Sequence, residues 1–485
     1  MPSAASSRLL NDDLAPSATR TWGAYSITSV WFGVVHNIGN YTLAAGMLLV
    51  GLPAWQVVIG LFLGFVFSYF GSQLIGRAGQ RYGVPYPVIA RASFGVFGAN
   101  LPALVRAIVA IAWYGIQTYL ASRAVIVLAL VLFPGLHGLE AHGFLGLSLL
   151  GWIAFLALWG AQLFVVTHGM ETIRKFQNYA GAIISLVMLV LAVMITVQAG
   201  GHIDWNYGAT PMSAGARING ILTVGCLMFI PFVTLLLNLC DFSRFSPDRT
   251  SVTKGNFWGL PVNGLAFTLL VVIATVGGHT VYGKAFTDPT DLLAAGGNPI
   301  LIAVGAVMFI FATMGVNIIA NVISPAYDLA NVFPRLITFK RGAMITSWLA
   351  LLVMPWKLYA STVTIQYFLG SLGAVLGPLF GIMMVDYYWL RRQKLALSAL
   401  YSEDPQGPYF YRRGVNPKAV IAFIPASVVS ILLALLPQLH GVSAYGWFLG
   451  TGVAALIYRG LHSRAQLATM SDVPESATEP ALAAS

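Results

Sequence analysis

The side chains of this chain that could recognise a ligand are mostly neutral and lie inside long apolar stretches. Carboxamides both donate and accept hydrogen bonds, and an indole ring offers a flat face for stacking. Burying such groups without partners costs roughly 2–7 kcal/mol, so their presence needs a reason. Their chemistry suits an uncharged, planar, hydrogen-bonding ligand. The residues are His36 and Asn37, Trp113 and Gln117, and Asn317 and Asn321.

The elements that carry these residues are apolar stretches, each long enough to cross a membrane. The composition is 58% hydrophobic and 9% charged, which leaves little polar surface for a water-soluble domain. About 20 apolar residues in a helix cross a hydrocarbon core roughly 30 Å thick. The stretches are uniformly apolar rather than alternating, which predicts helices and not a β-barrel. We predict an all-α polytopic membrane protein with about twelve spans: 25–50, 55–76, 100–126, 145–168, 177–199, 217–240, 258–279, 298–324, 342–356, 360–386, 418–437 and 441–460.

The cationic residues predict the orientation. With twelve spans both termini share one side, and 21 of the 26 Lys and Arg residues fall there. Arg217, Lys284 and Lys357 fall on the opposite side, and Arg106 and Arg123 fall within the third span. The positive-inside rule then places both termini in the cytoplasm, in an integral protein of the cytoplasmic membrane. It also explains the net charge of +10 without a nucleic-acid partner.

Two spans are interrupted at mid-depth. His36 and Asn37 break the first span, and Pro231 breaks the sixth, where proline removes a helical hydrogen bond. Interrupted helices at corresponding places in two halves predict a carrier built from inverted repeats, with its site at the midplane. Ordinary helix kinks are the alternative.

Acidic residues avoid the middle of the spans. Asp241, Asp328 and Asp386 stand at span ends, which argues against a relay of carboxylates at mid-depth. A membrane enzyme would need a nucleophile–base pair or a metal cluster, and the sequence offers neither. A channel would need a continuous polar lining, whereas the polar residues gather at one depth. We therefore expect a transporter that is not an enzyme and has no cofactor or metal.

Ordered motifs between Asn11 and Ala419 point to one family. They are Asn11-Asp-Asp-Leu-Ala-Pro16, Trp31-Phe-Gly-Val-Val-His36-Asn37, Tyr82-Gly-Val-Pro-Tyr-Pro87, Arg91-Ala-Ser-Phe-Gly95, Trp113-Tyr-Gly-Ile-Gln117, Gly169-Met-Glu-Thr-Ile-Arg174, Asn238-Leu-Cys-Asp-Phe-Ser-Arg244, Asn317-Ile-Ile-Ala-Asn321 and Pro378-Leu-Phe-Gly-Ile382. A chain with these motifs resembles the nucleobase–cation symporter family, which includes hydantoin, allantoin, uracil and cytosine permeases. The His36-Asn37 pair and Gly414-Val-Asn416 are most similar to the uracil and allantoin branch.

The resemblance implies a leucine-transporter-like fold that works by alternating access. Ten helices form two inverted repeats of five, and two C-terminal helices follow. A bundle of spans one, two, six and seven encloses the substrate against a scaffold of spans three, four, eight and nine. We expect import of uracil or allantoin by a monomer, with cytosine, purine, hydantoin, thiamine or pyridoxine as alternatives. The predicted segments are a cytoplasmic N-terminus 1–24, repeats 25–199 and 217–386, a cytoplasmic loop 387–417, spans 418–460 and a disordered cytoplasmic tail 461–485.

The resemblance also implies roles for individual residues. Trp113 stacks on the heterocycle and Gln117 bonds its amide edge, although the pair could instead bridge two helices. Asn37 and Asn321 correspond to positions that contact substrate. Phe232 stands where some relatives carry a second stacking tryptophan, which predicts a ring sandwich; it could equally be apolar lining.

Three further positions are accessory to this site. Asn317 is expected to pack between helices rather than to bind substrate. His36 is expected to satisfy exposed backbone near the break, with titration as the alternative. Pro231 is expected to shape the break in the sixth span.

Two departures from the family pattern matter. Sodium-coupled relatives carry a Ser-Thr pair where this chain has Gly315 and Val316. Without those hydroxyls, backbone at Gly33, His36 and Ala312 is too few oxygens for Na⁺. We predict a degenerate sodium site and coupling to protons instead, with His36 and Asp241 as candidate carriers. The second departure is Arg123, which could snorkel to the surface or bias the approach of ligands.

Overall fold

The described part of the chain is a bundle of helices with one two-stranded hairpin, Gly143–Phe144 and Leu147–Ser148. The computed structural model describes residues 6–287, 291–292, 295–360, 370–463, 466 and 470. Residues 361–369, in the first part of the predicted tenth span, lie outside the described residues. The predicted disordered tail also lies outside them, apart from residues 461–463, 466 and 470. The α-helices are α1 Ala24–Val35, α2 Ile38–Gly46, α3 Ala54–Tyr82, α4 Tyr86–Phe94, α5 Asn100–Leu132, α6 Leu149–Thr167, α7 Met170–Gln198, α8 Ala214–Phe229, α9 Val233–Ser243, α10 Arg249–Phe257, α11 Asn263–Tyr282, α12 Pro299–Val316, α13 Ile323–Val332, α14 Phe339–Leu352, α15 Pro355–Ala360, α16 Gly370–Met384, α17 Pro417–Leu435, α18 His440–Ser443 and α19 Gly446–Gly460.

Short turns of other helix types connect several of these α-helices. The π-helical turns are Trp258–Val262, Asn317–Val322 and Val385–Leu390. The 3₁₀ turns are Met47–Leu49, Pro134–Glu140, Ile230–Phe232, Ser398–Tyr401 and Pro437–Leu439.

Nine helical stretches of the described chain are long and apolar enough to cross a membrane. They match nine of the twelve predicted spans, so the prediction of an all-α polytopic protein is confirmed. The first span is split into α1 and α2, while α14 has 14 residues and α19 has 15. The division into repeats at 25–199 and 217–386 stays a prediction.

Several helices extend beyond the predicted spans. Helix α3 continues to Tyr82 rather than 76, and α7 begins at Met170 rather than 177. The apolar residues of a helix mark the part that meets lipid. The residue at which the helix ends depends instead on the local backbone conformation. At the end of α3 stands Gly83, whose φ of 72° suits the left-handed position that follows many helices.

Both predicted interruptions are present. The first span breaks between Val35 and Ile38, where Asn37 has extended backbone and its Oδ1 accepts from the Asn40 amide at 3.0 Å. The sixth span breaks at the 3₁₀ turn around Pro231. Because no water is available in lipid, backbone groups freed at such breaks need protein partners.

A buried ionic cluster joins α5, α9 and α13. The Arg106 guanidinium donates to both oxygens of Asp328 at 2.8 and 2.6 Å, and to Asp241 at 3.2 Å. It also donates to Asn238 at 2.9 Å and lies 3.9 Å from the centre of the Tyr86 ring. All of these side chains are buried. One cation therefore holds together three helices beneath the predicted site.

The N-terminal clasp, residues 11–14, joins loops at the same end of the bundle. The Asp13 carboxylate accepts from the Phe339 amide at 2.7 Å. The backbone carbonyl of Asp13 accepts from the Arg244 side chain at 2.9 Å. The Tyr401 hydroxyl donates to the Leu14 carbonyl at 2.7 Å. Burial raises the pKa of Tyr401, so its hydroxyl stays a neutral donor. The clasp therefore contacts the ends of three separate parts of the bundle.

We expect Arg106→Met to destabilise the folded protein by about 3–5 kcal/mol, because it leaves two buried carboxylates without their cation. The measurement is thermal unfolding of purified protein in detergent. Arg123→Met is the matched control, since Arg123 is exposed on the same helix. Equal losses in the two variants would contradict a structural role for the cluster.

Candidate functional site

A cavity of about 370 Å³ lies between the two helix breaks. This volume falls within the roughly 300–1,000 Å³ typical of small-molecule sites. None of its described lining residues carries a charge, so the cavity suits a neutral ligand. The lining residues are Val34, Asn37, Gly39, Asn40, Leu43, Val109, Trp113, Gln117, Leu227, Ile230, Pro231, Val233, Thr234, Val316, Ala320, Asn321 and Gly373.

One wall of the cavity is a face of α5. Trp113 and Gln117 stand four residues apart, line the cavity together and are both half-buried. No described residue hydrogen-bonds to the Gln117 carboxamide, and no described aromatic ring packs on Trp113. Opposite them is Gly39 of α2, where an added Cβ would lie 3.8 Å from Gln117 Nε2. Both side chains are therefore presented to the cavity rather than used to join helices.

A chain of amides fixes the orientation of Asn321. Asn317 Nδ2 lies 3.1 Å from the Tyr114 carbonyl, 2.9 Å from Thr118 Oγ1 and 2.7 Å from Gln162 Oε1. Since a carbonyl can only accept, the nitrogen of Asn317 must point there and its Oδ1 must point away. That Oδ1 accepts from Asn321 Nδ2 at 2.9 Å. Asn321 Oδ1 has no described donor and is left as an acceptor beside the cavity.

Asn317 itself does not line the cavity. It is fully buried at the start of the π-helical turn, where it contacts α5 and α6. Its contribution to the site is the position and orientation that it gives to Asn321.

Two amides serve the break in the first span. Asn37 Nδ2 donates to the Val34 carbonyl at 2.7 Å, and Asn40 Nδ2 donates to the carbonyls of Val34 and Val35 at 3.0 and 3.1 Å. These are carbonyls at the end of α1, which have lost helical partners. Asn37 and Asn40 therefore line the cavity while also satisfying the broken helix. The remaining hydrogen-bonding capacity of Asn37 for a ligand is one N–H and one lone pair.

Phe232 does not line the cavity, so this structure does not form the predicted ring sandwich with Trp113. The ring is fully buried and packs on Phe65 and Trp31, with centroid distances of 5.3 and 6.5 Å. Ile230, Pro231, Val233 and Thr234 face the cavity instead. At 3.6 residues per turn, Phe232 lies on the opposite side of the helix from these four residues. Its assignment to the site came from its correspondence with a position in relatives, which does not fix the direction of the side chain here.

His36 also lies away from the cavity. Its Nε2 lies 2.9 Å from Asn263 Oδ1, and its Nδ1 lies 3.1 Å from the Tyr41 hydroxyl. Asn263 Nδ2 donates to a backbone carbonyl, which leaves its Oδ1 as an acceptor, so His36 carries its proton on Nε2. Both ring nitrogens are thus engaged, and the residue links the first span to α11.

Sequence reasoning missed Asn40 and Thr234 as cavity residues. Asn40 lies in the first turn of α2, and its amide donates to the side chain of Asn37, the residue that caps this helix. Thr234 stands three residues after Pro231, and its half-buried hydroxyl faces the cavity. Arg123 is exposed on α5 and is not among the lining residues.

The residues of the predicted degenerate sodium site are buried but offer few oxygens. Gly315 and Val316 carry no side-chain oxygen, and Val316 faces the substrate cavity. The Gly315 carbonyl accepts a hydrogen bond from Gln177 at 2.9 Å. Gly33 and Ala312 contribute no side-chain oxygen either.

Comparison with solved structures shows which fold the chain shares. The chain is similar to Mhp1, a nucleobase-cation-symport-1 family transporter solved in a closed conformation with bromovinylhydantoin bound. The match has a TM-score of 0.73 and 24% identity, and it covers 96% of this chain and 99% of that chain. The chain therefore shares its fold with that protein, and two broken spans enclose a cavity lined by uncharged residues.

The chain belongs to the family of permeases for cytosine/purines, uracil, thiamine and allantoin, whose model matches residues 15–450. It is 38% identical to an allantoin permease of Bacillus subtilis, over 93% of each chain. It is 33% identical to a purine-uracil permease of Arabidopsis thaliana, over 90% of this chain and 73% of the relative. The protein is therefore a nucleobase-type transporter of the membrane, not an enzyme.

We expect Phe232→Leu to lower stability by about 1 kcal/mol and to leave the KM for transport within about twofold, because the ring packs in the core. Thermal unfolding and the concentration dependence of uptake measure the two effects. Phe65→Leu is the matched control, since it shortens the neighbouring ring of the same cluster. A tenfold rise in KM for Phe232→Leu alone would place this ring at the substrate.

Proposed function

We propose that this protein imports allantoin or uracil by alternating access. The observation that carries the proposal is the uncharged cavity in which Trp113, Gln117 and Asn321 meet. Gln117 has an unengaged carboxamide, and Asn321 presents an oriented acceptor. These groups suit a flat neutral ring that carries adjacent N–H and C=O groups.

The ligand chemistry follows from the orientation of the amides. Asn321 Oδ1 can only accept, so it selects a ligand N–H, which both allantoin and uracil have. Gln117 can pair with an N–H and a C=O at once. Stacking on Trp113 adds roughly 0.5–1.5 kcal/mol beyond burial. Micromolar affinity needs about 8 kcal/mol, which such contacts together with burial of the ring can supply.

Allantoin is the first candidate and uracil the second. The relative from Bacillus subtilis is an allantoin permease, and it is similar over nearly the whole of both chains. The plant relative is a purine-uracil permease, which supports uracil as the alternative. Both ligands are neutral, in keeping with a cavity whose described lining has no charged side chain.

The ionic cluster supports a route for opening towards the cytoplasm. Arg106 on α5 and Asp328 on α13 both belong to the proposed scaffold, whereas Asp241 on α9 belongs to the proposed bundle. Rotation of the bundle therefore breaks the contact of 3.2 Å between Arg106 and Asp241 and keeps the bidentate pair with Asp328. Release of the substrate follows on that side.

The charge distribution supports the proposed topology. Both termini and the loops that carry most of the Lys and Arg residues lie in the cytoplasm, in a monomer embedded in the cytoplasmic membrane. In this orientation the ionic cluster and the N-terminal clasp both close the cytoplasmic end.

Coupling is proposed to use protons and not sodium. The positions matching a Ser-Thr pair lack hydroxyls, so the oxygen shell that Na⁺ needs is incomplete. Of the two candidate carriers, His36 has both ring nitrogens engaged. Asp241 shares a single guanidinium with Asp328, and one cation neutralises only one of two carboxylates. We therefore favour Asp241 as the residue that takes up the proton.

We expect Trp113→Ala to reduce uptake of radiolabelled allantoin and uracil to background, because the stacking surface is lost. Saturable uptake and counterflow in proteoliposomes measure the effect and also separate a carrier from a channel. Trp55→Ala is the control, since Trp55 is 46% exposed at the start of α3 and is not among the residues that line the cavity. Normal uptake by the Trp113 variant would refute the proposed binding mode.

We expect uptake to be unchanged when choline replaces Na⁺ and to collapse when a protonophore dissipates an inward proton gradient. The reason is that the positions matching the sodium site lack side-chain oxygen ligands. Uptake of a proton does not need such a set of ligands. Initial rates in proteoliposomes with imposed gradients measure both effects. A large loss of uptake in choline would show that the protein is driven by sodium.

A further inference from the structure

Gln177 of α7 stands where three helices meet. Its side chain is fully buried, and its Nε2 donates to the Gly315 carbonyl of α12 at 2.9 Å. Its Oε1 faces α1, because a Cβ added at Gly33 would lie 2.5 Å from this oxygen. One carboxamide thus fills the space between α1, α7 and α12.

The orientation of this carboxamide is fixed by the backbone. A carbonyl oxygen cannot donate, so the nitrogen of Gln177 must face Gly315 and the oxygen must face Gly33. Oε1 is buried and has no hydrogen-bond partner among the described residues. The carboxamide is therefore held by one hydrogen bond at its nitrogen, while its oxygen packs against Gly33.

Two glycines make the space for the carboxamide. A Cβ added at Gly315 would lie 3.3 Å from Gln177 Oε1 and 3.6 Å from the Cα of Gly33. A hydroxyl-bearing residue at 315 would therefore press on both Gln177 and α1. Gly33 and Gly315 are also two of the positions assigned to the degenerate sodium site. The residues present do not fit a sodium ion, because a carboxamide occupies the gap and directs its N–H groups at the Gly315 carbonyl.

We propose that Gln177 is a positioning residue that takes the place of the ion, as a permanent neutral tether that bonds α7 to α12 and packs against Gly33 of α1. A cation between two helices attracts oxygens of both, and its arrival or departure switches their association. The carboxamide fills the same gap without leaving, with a hydrogen bond that bridges α7 and α12, so the packing of α1 beside α12 no longer depends on Na⁺. The inference rests on the proposed independence from sodium and explains it with a residue of this chain.

The tether has a definite consequence for a carboxylate at this position. Gln177→Glu replaces the donor that faces the Gly315 carbonyl by an acceptor, so the two oxygens repel each other. A bound Na⁺ between them, or a proton on the carboxyl that donates to the carbonyl, restores the bridge. The variant should therefore depend on a cation that the unchanged protein does not need.

The experiment compares the unchanged protein with Gln177→Ala, Gln177→Glu and the control Gln198→Ala, which lies at the far end of the same helix. Thermal unfolding is measured in NaCl and in choline chloride, at neutral and acidic pH, together with uptake of allantoin and uracil under each condition. We expect Gln177→Ala to lower uptake about tenfold. The variant loses the buried hydrogen bond between α7 and α12, and a loss of about 1.4 kcal/mol corresponds to a factor of ten. We expect Gln177→Glu to be impaired in neutral choline and restored by Na⁺ or by acid, relative to the unchanged protein in the same buffer.

The outcomes separate this inference from the proposed function. The tether is overturned if Gln177→Glu behaves as the unchanged protein under every condition. It is also overturned if the variant is impaired and neither Na⁺ nor acid restores its stability and uptake. Both outcomes leave the proposed function standing. Sodium stimulation of the unchanged protein overturns both independence from sodium and the tether. Absence of allantoin and uracil uptake by the unchanged protein refutes the proposed substrates, while the unfolding measurements still test the tether.

Discussion

The site depends on one constraint, which is that backbone groups freed inside a membrane must find partners within the protein. The break in the first span frees carbonyls of Val34 and Val35, and the carboxamides of Asn37 and Asn40 satisfy them. The same two residues line the cavity. The amides that make an interrupted helix tolerable are thus the ones that give the cavity its polarity, and stability and recognition share the same atoms.

A second set of amides carries orientation from the backbone to the cavity. The Tyr114 carbonyl sets Asn317, and Asn317 sets Asn321. Because each amide has a donor end and an acceptor end, fixing the first fixes the last. Gln177 follows the same rule at the Gly315 carbonyl. In this protein, neutral carboxamides oriented by main-chain groups supply the fixed hydrogen-bonding atoms that charged residues supply in many binding sites.

The sequence was sufficient to predict the spans, both interruptions and the meeting of Trp113, Gln117 and Asn321 at one cavity. The spans and interruptions follow from apolar length and from proline and glycine chemistry, and the spacing of four residues places Trp113 and Gln117 on one face of α5. Their meeting with Asn321 was implied by the resemblance to the family and not by spacing. The direction of Phe232 was wrongly expected, because it was assigned by correspondence with relatives without knowing which face of this segment meets the cavity. Gln177 was missed because its partner is a backbone carbonyl 138 positions away, which leaves no sign in local sequence.

The N-terminal clasp adds a mechanical property to the molecule. Asp13 is bonded both to Arg244, just after the sixth span, and to Phe339, at the start of α14. In the proposed cycle the sixth span belongs to the bundle and α14 to the scaffold, so separating the two breaks these bonds. The segment that precedes the first helix would then favour the state in which bundle and scaffold lie together at this end.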